Sequence, residues 1–84
     1  MTSKTHLNFA RTHPYLTKEI KTIVEKLEYP DTLDRRDVTD LLESDYNRII
    51  TRGIKQMVSF VVQIYGYEII TNRSNPRVRY RRVE

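Results

Sequence analysis

The chain has 84 residues, enough for one domain built around one modest core. It contains no cysteine, which excludes disulfides and thiolate metal sites, and no run is long and apolar enough to span a membrane. Net charge is +4 but unevenly placed: residues 1–45 hold seven Lys/Arg against nine Asp/Glu, and residues 46–84 hold eight against two. A basic second half of this kind is the electrostatic footprint expected of a protein that meets a polyanion.

The opening, MTSKTHLNFARTHP, lacks the apolar run of a signal peptide, so a cytoplasmic, nucleoid or nuclear location is expected rather than secretion. Residues 1–14 have no clear period and form an N-terminal arm or a flexible tail; Leu7 and Phe9 alternate as they would in a short packed strand. A first helix is predicted over residues 14–29, with Leu16, Ile20, Ile23, Val24 and Leu27 at half-buried spacing. Thr17 is its candidate cap, and Tyr29-Pro30-Asp31 is its stop. Residues 31–43 read as a short second helix, capped by Asp34 and with Val38, Leu41 and Leu42 on its apolar edge. Asp34, Asp37 and Asp40 lack the looped donor ring and turn glycine of a cation site, and are read as a solvated acidic face.

Glu43-Ser44-Asp45 is then a tight connector, with Ser44 or Asp45 capping a long helix over residues 45–65. Around Ile54 that helix gathers Tyr46, Ile50, Met57, Val58, Val61, Ile64 and Tyr65 on one face. Its opposite face carries Arg48, Arg52, Lys55, Ser59 and Gln63, a compact basic stripe. Ile49, Gly53 and Phe60 make a second, narrower stripe. A homodimer or another protein partner would cover it, or else Leu7 and Phe9 of the same chain, and Gly53 would admit a close backbone. Gly66 suits a left-handed position after the helix. Residues 67–71 and 77–83 flank turn chemistry at Asn72-Arg73-Ser74-Asn75-Pro76, predicting a β-hairpin. Val78 and Tyr80 fall on its buried face, and Arg77, Arg79 and Arg81 on its basic face.

Helix, helix, tight turn, long helix and hairpin, with the exit Ile64-Tyr65-Gly66-Tyr67-Glu68-Ile69, resembles the winged helix-turn-helix DNA-binding class. The resemblance implies a mainly α fold, three helices plus a C-terminal β-hairpin wing, over residues 15–84. It implies that the helix over 45–65 reads double-stranded DNA through Asn47, Arg48, Thr51, Arg52 and Lys55, with the wing touching backbone through Arg73, Arg77, Arg79 and Arg81. Arginine suits guanine edges and asparagine suits adenine, because each offers a two-pronged hydrogen-bonding face. The function so implied is a small transcription regulator without a cofactor, by analogy of the phage or plasmid kind. It would be controlled by its own concentration, by dimerisation or by a partner.

Two other readings stand beside it. One is a winged helix that docks on another protein, as an interaction module or inhibitor, since the acidic second helix would repel phosphates. The other is structured RNA binding, for which the usual aromatic platform is missing. Catalysis is not expected, because His6 and His13 have no spaced carboxylate partner and there is no phosphate-cradling loop or nucleophile elbow. Tyr15, Tyr46, Tyr65, Tyr67 and Tyr80 are read as core-edge aromatics with wet hydroxyls.

Overall fold

Pro14 opens the first helix, where its missing N–H is one the helix would leave unbonded in any case. The computed structural model describes residues 8, 10–72 and 75–83, with the side chains of 71, 72, 75 and 76 left aside. Residues 10–12 are helical, and helix α1 spans Pro14–Lys26. It stops ahead of the expected Tyr29-Pro30 boundary. Glu28 and Tyr29 take left-handed φ angles of 62° and 47°, while their N–H groups bond Glu25 O at 2.9 Å and Val24 O at 3.1 Å. That crossed pair of bonds satisfies the last carbonyls and turns the chain before proline is reached. Thr17, expected as a cap, is instead buried in α1, and its Oγ1 has no hydrogen-bond partner among the described residues.

Strand β1, Thr32–Asp34, stands where the second helix was expected to begin. It is short, but Leu33 is fully buried opposite Tyr80, so pairing with the hairpin outweighs local helix preference. Asp34 then caps helix α2, Arg35–Tyr46, accepting the Arg36 N–H at 2.9 Å as its position predicted. The expected break at Glu43-Ser44-Asp45 does not occur, and α2 runs on to Tyr46. It ends at Asn47, whose φ of 54° is left-handed, a conformation asparagine tolerates better than most residues. Helix α3 begins only at Arg52 and spans Arg52–Ile64, with Thr51 Oγ1 accepting the Ile54 N–H at 3.2 Å. The single helix over 45–65 is therefore the tail of α2, a turn over residues 47–51, and α3.

Gly66, at φ 94°, leads from α3 into β2, Tyr67–Asn72, and β3, Asn75–Arg82, follows. The sheet is antiparallel with the order β1-β3-β2. Leu33, Tyr80 and Ile69 lie side by side across it and face the helices. Beneath them the core is Leu16, Ile20, Ile23 and Val24 of α1, Val38 and Leu42 of α2, and Met57, Val58, Val61 and Val62 of α3. The domain is mainly helical, with a small sheet laid against it. No helix among the described residues is long and apolar enough to cross a membrane.

Candidate nucleic-acid interface

Helix α3 presents one polar ridge to solvent because its other side is committed to the core through Met57, Val58, Val61 and Val62. Arg52, Lys55 and Gln56 on that ridge are exposed, and Ser59 and Gln63 are half-buried behind them. Beside the ridge a groove of about 590 Å³ runs between α3 and β2. Its polar rim is Arg35, Arg52, Lys55, Gln56, Ser59 and Gln63, and Phe60 and Ile69 form its apolar wall. Three cations and no carboxylate line it. The adjoining recess, toward α2, shares Arg35 and Lys55 with it and sets them, with Arg36 and Arg77, beside Asp34, Asp40 and Glu43.

Arg35 was not among the sequence candidates, yet it joins Arg52 and Lys55 because α2 and α3 start close to one another. A signal for it was present. Arg35 and Arg36 occupy the first two positions of α2 and Arg52 the first of α3, where the helix dipole is unfavourable to cations by about 0.3–1 kcal/mol each. Cations that work against their own helices would be relieved by an anion bound between them. Gln56 was missed as well, and its amide makes no hydrogen bond among the described residues.

The remaining sequence candidates are placed differently. Asn47 and Arg48 are not in the first turn of α3 but in the turn before it. The Arg48 guanidinium is held by Glu19 of α1 in a two-pronged pair, Nε to Oε1 at 2.8 Å and Nη2 to Oε2 at 2.7 Å, which raises its already high pKa. Thr51 serves as the α3 cap. Asp45, expected to cap the long helix, accepts Lys26 Nζ at 2.9 Å, and that bond lowers its carboxyl pKa. Ile49 sits in the turn, 83% exposed, Gly53 is in the first turn of α3, and Phe60 lies in the groove. Gly53 and Phe60, seven residues apart in α3, keep one helical face, and Ile49 is separated from it by lying in the turn before the helix.

On the hairpin, Arg73 lies outside the described residues. Arg77 Nη1 is 3.9 Å from Asp34 Oδ2, and Arg81 is paired across the sheet with Glu68. Arg79, half-buried, stands between Asp34 and Ile70 on the outer face. Much of the hairpin's positive charge is thus met by carboxylates, Glu68 within the hairpin and Asp31 and Asp34 beside it.

Two tyrosines read as wet-tipped are structural. Tyr80 is fully buried and shares a 2.7 Å hydrogen bond with Ser59 Oγ, and burial pushes its pKa up to about 12. Tyr67, also buried, donates its hydroxyl to Pro30 O at 2.7 Å, and burial raises its pKa. Among the described residues no cluster of His, Asp or Glu is arranged to hold a metal ion. Comparison with protein-family models, curated proteins and solved structures finds no match to this chain.

Proposed function

We propose that the chain is a winged helix-turn-helix domain that binds duplex DNA through α3, serving transcription regulation. The observation that carries this reading is the convergence of Arg35, Arg52 and Lys55 on one groove at the starts of two helices. The order helix, strand, helix, helix, hairpin and the sheet order β1-β3-β2 support it. In this reading Arg52, Lys55 and Gln56 enter the major groove, where the amide of Gln56 suits adenine and the fork of Arg52 suits guanine. Arg35 and Arg79 contact phosphates. The acidic edge of α2 directs the backbone to the hairpin side of α3.

The test is fluorescence anisotropy with a mixed-sequence DNA duplex and an RNA duplex of the same sequence over a salt series. DNA binding that weakens steeply with salt, as counterion release requires, is the expected result. Arg52→Ala should lower affinity by about tenfold and relax base preference, the loss scaled to one base-edge contact. Preference for the RNA duplex, or no binding at low salt, overturns the reading. Docking on a protein is the second reading, favoured by the exposure of Ile49 at the α2–α3 turn. It predicts an assembly that Ile49→Asp abolishes.

A further inference from the structure

Across the sheet the inner row is Leu33, Tyr80 and Ile69, one residue from each strand. Leu33 and Tyr80 are fully buried, yet Ile69 is 41% exposed. Strand order explains the difference, because β3 is central and β2 is an edge. Among the described residues the outer edge of β2 pairs with no strand, so every second residue there turns its N–H and C=O away from β3. Such an edge is a template for another strand unless shortness, proline or lysine guards it. The opposite edge, β1, is guarded by being only three residues long. Tyr67-Glu68-Ile69-Ile70 has neither proline nor lysine. Its one charge is engaged, since Arg81 Nε donates to Glu68 Oε1 at 2.9 Å.

We infer that the free edge of β2 is a self-association surface, on which β2 of a second copy pairs antiparallel about a two-fold axis at Ile69. The axis sets Ile69 against Ile69 of the other copy, so the apolar inner row continues through both sheets and loses its exposed end. On the outer face the same register puts Glu68 opposite Ile70, once in each direction. A register centred on Glu68 would set two carboxylates face to face, and one centred on Ile70 would leave Ile69 opposite Thr71. Charge and apolar contact therefore select a single register. They also select the occupant: Glu68 and Arg81 cancel beside the edge, which leaves no net charge there to recruit an acidic or a basic strand. One added strand is a small interface, below the roughly 1,200 Å² of a stable one, so the association is weak and concentration-dependent.

The test is sedimentation velocity of the full chain from micromolar to millimolar concentration, with amide hydrogen exchange read by NMR at both ends of that range. A dimer should form toward millimolar chain, and amides within residues 67–70 should exchange more slowly as it does. Ile69→Lys, which sets a charge at the axis, should weaken association by about tenfold or more. Ile69→Thr keeps a β-branched side chain, and with it the strand, and should weaken association as well. Ile49→Asp, in the α2–α3 turn, should leave the dimer within about twofold of the wild type, because the two sites share no partner. A chain that stays monomeric at millimolar concentration overturns the inference. So does a dimer that survives both Ile69 variants, one that Ile49→Asp abolishes, or one that forms without slowed amides in β2. None of these outcomes bears on DNA binding, which is measured separately.

Discussion

Arg48 illustrates how one side chain can be assigned oppositely by pattern and by contact. In sequence it begins a basic stripe, four residues before Arg52. In the fold its fork is closed on Glu19, with the pair only 33% and 16% exposed. Both oxygens of the carboxylate are engaged, so the pair pins the turn over residues 47–51 onto α1. Breaking it leaves a half-buried charge unpartnered, which places the cost between that of a surface pair and that of a buried one. Arg48→Met should therefore destabilise the fold by about 1–2 kcal/mol in urea unfolding. The same variant should leave the salt dependence of DNA binding unchanged. A shallower salt slope would return Arg48 to the interface.

At the scale of elements, the ends of the helices were the hardest to foresee. Asp34 as the α2 cap and Gly66 as the exit from α3 were legible, because each has one dominant local use. The α2–α3 boundary was not. Ser44-Asp45 and Asn47 through Thr51 both carry capping chemistry, and local preference does not rank them. The ranking comes from packing: α2 needs Leu42 inside, and α3 needs Met57, Val58, Val61 and Val62 inside. The turn must fall where both faces reach one core. Thr51→Ala tests the observed boundary, and it should cost about 1 kcal/mol of stability by thermal or urea unfolding. Ser44→Ala should be nearly silent. The reverse order would place the break where the sequence pattern first suggested.

For the molecule as a whole, Tyr80 is the point where sheet and helices meet. It lies between Leu33 and Ile69 in the sheet and bonds Ser59 of α3. Its folded pKa, about 12, lies above the value near 10 of an unfolded tyrosine. A raised tyrosine pKa means that the folded state retains the proton longer. Its contribution is complete below about pH 10 and is lost as pH rises toward 12, on the order of 2 kcal/mol in all. Stability followed by urea unfolding should fall across that interval. Tyr80→Phe, although less stable at neutral pH for want of the Ser59 bond, should show a shallower alkaline fall. An equally steep fall in the variant would move the alkaline limit elsewhere.

The amphipathic spacing of α1, the apolar side of α3, the Asp34 cap, the glycine exit and the alternation of Val78 and Tyr80 were all determined by the sequence. They depend on interactions within a few residues, or on the period of a single element. The uneven charge was readable for the same reason. Only the tertiary structure could decide that residues 32–34 form a strand, because their partners lie near residue 80. It also decided that Arg48 belongs to Glu19, 29 residues away, and that Arg35 of one helix start meets Arg52 and Lys55 of another. Contacts so distant along the chain leave no periodic trace in it. They arise when buried surface, rather than local preference, fixes how the elements lie against one another.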